Sequence, residues 1–395
     1  MGEIGKKKIC GIATLPNTIK SFMLGNLNYL AEHGYDCYCI SSPGDSLNSE
    51  NLGRVTHVAI VEMKWGLMSP LAFVKCVRRL YKIFKKERFD IIQYATSNAA
   101  LCASIAGWIA KVPVRINLQW GISYPVYRGW KRYLFYYSNK ITCRLSTSVQ
   151  PDSRGNFAFS IAEKLYPAEK GTVIYNGSAC GVDMQKYNIG KRSEWRKELF
   201  QKYDLDKYKI VYGFVGRVVV EKGINELLEA FFRMNHQDAC LMLVGPLNDV
   251  GRLDQHLYDK AQKADTIILV GPVSNAANYY AAFDFMMLPS YQEGFGMTIL
   301  EAAGVGTPSI ISNIKGPTEL IKDGINGLVC EPRSAESLQE AMEKAYDMPK
   351  EEYKKMADNA YGIAVRDFDS TTFKQLFLEN RNELLSAAKE KNKKH

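Results

Sequence analysis

Short continuous apolar runs alternate along the chain with longer segments whose apolar positions recur at helical spacing, and polar or glycine-bearing stretches separate the two. The run KKICGIAT predicts a buried strand, and the polar TLPNTIKS after it reads as a loop. From Ser21 to His33, Phe22, Leu24, Leu27, Leu30 and Ala31 keep roughly helical spacing, and Gly34 stands where a C-cap belongs, so a helix is expected there. YDCYCISSPG is the next strand. The rhythm continues through VTHVAIV, the amphipathic segment Leu71 to Lys86, FDIIQYA, an apolar helix around Ala99 to Ala110, VPVRINL, LSTSVQP and GTVIYNG. Strands that are apolar throughout, alternating with helices, imply a parallel sheet covered on both faces.

After Asp183 the character changes to KRSEWRKELFQKYDLDKYK, charged and with little to give a core, and the domain boundary is expected just before or within it. A second series follows: IVYGFVG, a helix from Asn225, ACLMLVG, TIILVGP, a helix over Asn275 to Phe283, FMMLPS, a helix from Met297, and PSIIS. The expected division is 1–188 and 189–369, each a doubly wound sheet, with a helical segment at about 370–395 folding back onto the first domain.

Composition agrees with a folded globular chain: 395 residues, 46% apolar, 24% charged and 11% aromatic. The longest apolar candidate, Ala99 to Ala110, falls short of the roughly 18 residues that a spanning helix needs. The start, MGEIGKKKICGIAT, has too short an apolar segment for a signal peptide and Lys6 where a myristoylation signal wants Ser or Thr, so a cytosolic product is expected. Nine scattered cysteines with no C-x-x-C pair read as reduced thiols, and Cys37 and Cys39 share one face of a strand. Charge is uneven. Residues 1–190 hold 24 Lys and Arg against 12 Asp and Glu, and the remainder holds 27 against 30. An acidic surface or substrate met by one half, or simply a solvated basic face, accounts for this.

Open parallel sheets bind ligands at the carboxyl ends of their strands, so the loops after strands are where chemistry belongs. In GFVGRVVVEKG, Gly213 and Gly216 flank a strand end, Arg217 and Lys222 supply two cations, and Gly223 precedes a helix. Such a loop suits phosphates; the alternative is a glycine turn with two surface cations. In PSYQEGFGMTILEAAGVGTP, Gly294, Phe295, Gly296 and Met297 would set backbone N–H groups at a helix start, with Glu293 before the helix and Glu301 within it. Those carboxylates suit hydroxyls of a sugar and a ribose; the alternative is a helix-dipole Glu and a surface Glu.

GRVVVEKG followed some seventy residues later by EGFGMTILE resembles the family 4 retaining glycosyltransferases of the GT-B fold, and YNGSACGVD, LMLVGP and YYAAFDFMMLPS agree with it. The resemblance implies an α/β fold of two Rossmann-like domains facing a cleft, an acceptor held by the N-terminal one and a nucleotide-sugar donor, expected to be a UDP-sugar, in the C-terminal one. Carried over by motif, Arg217 and Lys222 bind the donor diphosphate beside Gly216, Glu301 binds the ribose, and Glu293 with the Gly294 to Met297 amides binds the transferred sugar. It implies retention of configuration and no metal or other cofactor, the cations and helix N-termini serving the leaving group. An Asp-x-Asp, Asp204 to Asp206, lies in the charged linker and reads as a solvated turn.

The sequence departs from the family in its first domain. TLPNTIKS replaces a glycine pair after the first strand, leaving Thr18 and Lys20 as candidates to approach the phosphate, and NLQWGISY puts Gln119 and Trp120 where relatives carry a histidine. Gly121 to Arg144 interleaves Tyr124, Tyr127, Trp130, Tyr133, Phe135, Tyr136 and Tyr137 with Arg128, Lys131, Arg132 and Lys140, and KCVRRLYKIFKKER adds a basic helix. Aromatics among cations suit an anionic inner membrane surface, with a lipid-linked or glycan acceptor; the alternative is a Tyr-rich buried helix. No nucleic-acid recognition motif is present. A nucleotide-sugar epimerase of GT-B fold would need more histidines than the chain's five, and a catalytically silent nucleotide-sugar binder would sit easily with loss of Lys222 or Glu293, which are both present.

Overall fold

The computed structural model describes residues 6–393 other than Val61, Trp65, Leu67, Ser123 and Asn248; the chain start read above for targeting lies partly outside that range. The chain divides into two compact units, residues 1–180 with 371–395 and residues 181–370.

The first unit holds six parallel strands, β1 Lys7–Ile12, β2 Tyr35–Ser41, β3 Thr56–Ala59, β4 Ile91–Tyr94, β5 Val114–Gln119 and β6 Ser148–Pro151, in the order β3-β2-β1-β4-β5-β6. The strand alternation sends Ile9, Cys37, Cys39, Ile91 and Ile116 to one face, against Ile19, Leu27, Phe373 and Phe377. Cys10, Ile12, Ile92 and Tyr94 go to the other, against Cys76, Leu80, Phe84 and Ala103. Eight of the nine free cysteines are buried packing residues.

The second unit repeats the plan with β7 Ile210–Val215, β8 Ala239–Val244, β9 Ile267–Gly271, β10 Phe285–Leu288, β11 Ser309–Ser312 and β12 Gly327–Cys330, ordered β12-β11-β10-β7-β8-β9. Both faces are again buried, Met242, Val244, Met286 and Leu288 on one and Tyr212, Phe214, Leu241 and Phe285 on the other. Strand order reverses between β7 and β10, so the loops after these two strands flank the crevice where such sheets take ligands.

Several expectations are corrected. The helix expected at Ser21–His33 is two, Pro16–Phe22 and Leu24–Glu32, broken at Met23. Pro16 sits in the first turn, where its missing N–H goes unneeded, so TLPNTIKS is mostly helix and Thr18 and Lys20 are helical residues. GTVIYNG is no strand: only Gly171 bridges to Val149, after which Tyr175 and Gly177 take positive φ and turn the chain away. The charged stretch forms the helix Arg192–Tyr203, bound into the second unit by Leu199 and by Arg192 and Arg196, which donate to the carbonyls of Val305 (2.7 Å) and Ala282 (2.8 Å). The junction expected at 188/189 falls after Cys180, because Val182 already exchanges backbone hydrogen bonds with Phe368 and Ser370, and Tyr187 is core. The helix Ser370–Lys393 packs on the first sheet through Phe373, Phe377 and Leu385, and Lys7 Nζ reaches Asn382 Oδ1 at 2.7 Å.

Candidate active site

The loop after β7 has little freedom. Gly216 N–H donates to the Val244 carbonyl at 2.9 Å, and a Cβ on Gly245 would stand 1.9 Å from the Gly216 oxygen, so the two strand ends lie in direct contact. Val218 and Val219 are buried and anchor the loop, which makes a turn at Val220–Lys222. Gly223 then takes φ 72°, and a Cβ there would meet the Pro289 carbonyl oxygen at 2.0 Å. Only glycine permits this approach of the β7 loop to the end of β10, and Tyr291 N–H closes it by donating to the Glu221 carbonyl at 3.0 Å.

That contact brings three side chains together. Lys222 Nζ donates to Glu293 Oε1 at 2.5 Å, and Ser290 Oγ donates to the same oxygen at 2.7 Å. Glu293 is mostly enclosed, with 13% of its side chain exposed, so its charge requires both partners. Arg217 stands apart with 58% exposure and a loose 3.9 Å pairing to Asp249, free to swing toward an anion.

Beyond Glu293, the helix Met297–Gly304 begins at Gly296, φ 94°, with no side chain capping its first amides. A Cβ on Gly316 would stand 2.4 Å from the Gly294 oxygen, so a second loop fixes this turn from behind. Phe295 is buried against Phe368, ring centroids 5.5 Å apart, and offers a ligand only its backbone; Met297 is half-buried. Glu301, on the same helix, accepts from Tyr280 Oη at 2.8 Å and from the Tyr187 hydroxyl. Burial pushes its carboxyl up, while the two hydroxyls and Lys186 oppose that. Two accepted bonds leave lone pairs over, so Glu301 can still receive a ligand hydroxyl.

The second unit thus brings Lys222 directly to Glu293 and sets Gly216, Gly294, Gly296 and Glu301 in the loops and helix around them. Sequence reasoning missed Ser290, Tyr187 and Tyr280, and also the clamp in which Tyr291 donates to Glu226 at 2.7 Å while Arg333 stacks on its ring at 4.3 Å. No spacing links residues 226, 291 and 333; only the strand-end serine, beside the glutamate in PSYQEG, was readable.

The other candidates belong to the first unit. Thr18 is half-buried and Lys20 exposed on their helix. Gln119 is buried, and its carbonyl accepts from Ser160 at 2.8 Å and Tyr166 at 3.3 Å, tying β5 to its neighbours, while its Nε2 has no partner. Trp120 is half-buried, edge-on to Phe22 at 5.7 Å.

Two doubly wound parallel sheets, each followed at its strand ends by the loops described, make an α/β fold of two Rossmann-like units. Residues 11–150 match the family described as Glycosyl transferase 4-like, and residues 196–362 match Glycosyl transferases group 1. The chain is 26% identical over 340 residues to the capsular polysaccharide biosynthesis glycosyltransferase CapM of Staphylococcus aureus, covering 86% of this chain and 87% of that protein. It is 27% identical over 283 residues to the UDP-Gal:alpha-D-GlcNAc-diphosphoundecaprenol alpha-1,3-galactosyltransferase of Escherichia coli, covering 69% and 70%. The crystal structure of a glycosyltransferase from Rickettsia africae ESF-5 superposes with a TM-score of 0.77 at 22% identity, covering 96% of this chain and 99% of that one. The protein belongs to the family 4 glycosyltransferases.

Proposed function

We propose that the protein transfers a sugar from a UDP-sugar, with retention and without a metal, to a lipid-linked or glycan acceptor in surface-polysaccharide synthesis at the cytoplasmic face of a membrane. The observation that carries this is the Lys222–Glu293–Ser290 cluster, set where the β7 and β10 loops meet beside an uncapped helix start. An arriving diphosphate competes with Glu293 for the Lys222 ammonium, and Arg217 and the helix amides add to its neutralisation. Glu293, released from the lysine, accepts hydrogen bonds from hydroxyls of the transferred sugar, and Glu301 from those of the ribose. The anomeric carbon–phosphate oxygen bond then breaks while the acceptor oxygen bonds the same face of that carbon, and the acceptor proton passes to the departing phosphate oxygen. No cofactor enters this scheme. Cations and amides carry the leaving-group charge. Asp204, in the Asp-x-Asp of the charged stretch, pairs at 3.1 Å with Lys207 on the surface.

UDP and the undecaprenyl-diphosphate acceptor are named for the Escherichia coli relative, and the capsule for the staphylococcal one, which supports extending both to this chain. Membrane contact draws support from the helix Gly129–Leu145, in which only Thr142 and Cys143 are buried, against the reading of a Tyr-rich buried helix. Trp130, Tyr133, Leu134, Tyr137 and Ile141 are exposed on it, beside Lys131, Arg132 and Arg144, and Leu71 and Val74 are exposed on the basic helix Pro70–Glu87. No described helix is long and apolar enough to cross a membrane. The test is transfer from UDP-sugars to a lipid-diphosphate glycan in the presence of EDTA, with the product anomer read by NMR. The α-anomer from an α-donor is expected; a β-product or an absolute metal requirement overturns the mechanism.

A further inference from the structure

Two phenols reach Glu301 from different parts of the second unit. Tyr280, on the helix Ala276–Ala282, is fully buried and donates to Glu301 Oε2 at 2.8 Å. Tyr187, in the segment before the charged helix, is buried too and donates its hydroxyl to the same carboxylate. Both are tied to the helix Met297–Gly304 that carries Glu301. Thr307 Oγ1, in the turn after that helix, donates to the Tyr280 carbonyl at 2.7 Å. A Cβ on Gly304 would stand 3.0 Å from Tyr187 Cβ, so the end of the helix lies flush against that residue. The two rings lean on each other with centroids 6.2 Å apart. Three elements distant in sequence therefore converge on one carboxylate.

Packing alone does not need the hydroxyls, since a phenylalanine fills nearly the same space and buries no polar group. What the hydroxyls do is hold the carboxylate. The last torsion of a glutamate is broad and roughly two-fold, so the plane of the group is set by its bonds and not by its rotamer. Burial and the Glu301 charge push the Tyr280 phenol well up, so it stays a donor. An ionised carboxylate accepts at about four sites, and the two phenols fill two of them. Glu301 is half-buried, and the two sites left lie on a group that cannot turn. Two acceptor sites on a fixed carboxylate match two hydroxyls on neighbouring carbons. A ligand lacking one of these leaves a desolvated acceptor unpaired.

We propose that Tyr187 and Tyr280 are positioning residues that set Glu301 for the vicinal 2′- and 3′-hydroxyls of a ribonucleotide, so that the site rejects 2′-deoxyribonucleotides, dTDP-sugars among them. This rests on the reading that Glu301 binds the ribose of the donor.

Calorimetric titration of the full chain with UDP and 2′-deoxy-UDP, and with GDP and 2′-deoxy-GDP, tests it. The ribonucleotide that binds should do so about 10- to 100-fold more tightly than its deoxy partner, the range that a hydrogen bond to a charged group supplies. Tyr280→Phe and Tyr187→Phe, two variants that keep the ring and are checked for folding by melting, should each cut that preference by about fivefold or more, weakening the ribonucleotide and leaving the deoxynucleotide near wild type. Tyr203→Phe is the control: its hydroxyl meets Tyr279 at 3.2 Å, and its loss should leave the preference whole. Equal weakening of both nucleotides in the two tyrosine variants marks a structural role only and overturns the proposal, as does a full preference in both. Glu301→Gln tests the underlying reading and should erase the preference. If it does so while both tyrosine variants keep theirs, the positioning role alone falls. If Glu301→Gln keeps the preference, or no ribonucleotide binds, the ribose reading falls and the proposal with it.

Discussion

Gly223→Ala tests whether the glycine contact between the β7 and β10 loops assembles the site. The added Cβ would lie 2.0 Å from the Pro289 carbonyl oxygen, where about 3.0 Å is the closest approach found, so the loops must part by about 1 Å. The residue also sits at φ 72°, which disfavours a side chain by about 1–2 kcal/mol on its own. Gly324 separates the two effects: its φ is 69°, and a Cβ there meets nothing within 4 Å. Gly324→Ala should therefore lose about 1–2 kcal/mol of stability and keep full turnover. Gly223→Ala should lose more stability and, because Ser290 follows Pro289 directly and Glu293 lies in the same loop, move them off Lys222. A misplacement of about 1 Å reduces turnover about 100-fold. Urea unfolding and steady-state transfer measure both. Equal stability losses with equal turnover in the two variants would refute the argument that this contact positions the site.

Two further outcomes follow from the same geometry. Burial raises the Glu301 carboxyl in the fold, so its contribution to stability is fully present below the unfolded carboxylate range and is lost as pH rises through the folded value. Glu301→Gln should flatten the melting profile above the unfolded carboxylate range of about pH 4 and raise the donor KM more than it lowers kcat; a profile identical to wild type would remove the burial argument. Replacing Trp130, Tyr133 and Tyr137 together with Ala should abolish cosedimentation with vesicles containing anionic lipid while leaving the melting temperature near wild type, since all three are exposed. Unchanged cosedimentation would leave the exposed aromatic stripe without a role in membrane contact.

Both sheets were legible because most of their strands are buried on both faces and read as unbroken apolar runs such as ACLMLVG and FMMLPS. β12 escaped because its run, GLVC, is only four residues between glycine and a charged stretch. Pro16 was read as a loop signal although the same residue starts a helix well, and local sequence does not separate the two uses. The charged helix Arg192–Tyr203 belongs to the second unit through arginine bonds to carbonyls, an attachment that hydrophobic periodicity does not register. At the site, glycine and charge patterns pointed to Lys222, Glu293 and Glu301. The Glu301 partners Tyr187 and Tyr280 depend on contacts distant in sequence and on no motif. Gln119, at a suggestive strand end, has its carbonyl bonded to Ser160 and Tyr166, partners that no spacing indicates.

The central claim is that Lys222 and its neighbours bind a nucleotide-sugar diphosphate, and the most direct measurement is the melting temperature of the purified protein against UDP-, GDP- and dTDP-sugars in EDTA. A ligand at about 100 times its Kd stabilises by about 2.7 kcal/mol. At about 2–4 °C per kcal/mol, that is a rise of about 5–10 °C. We expect such a rise with a UDP-sugar and its loss in Lys222→Ala, each read against the same protein's own melting temperature without ligand. No rise with any nucleotide sugar, or the same rise in Lys222→Ala, would contradict the account.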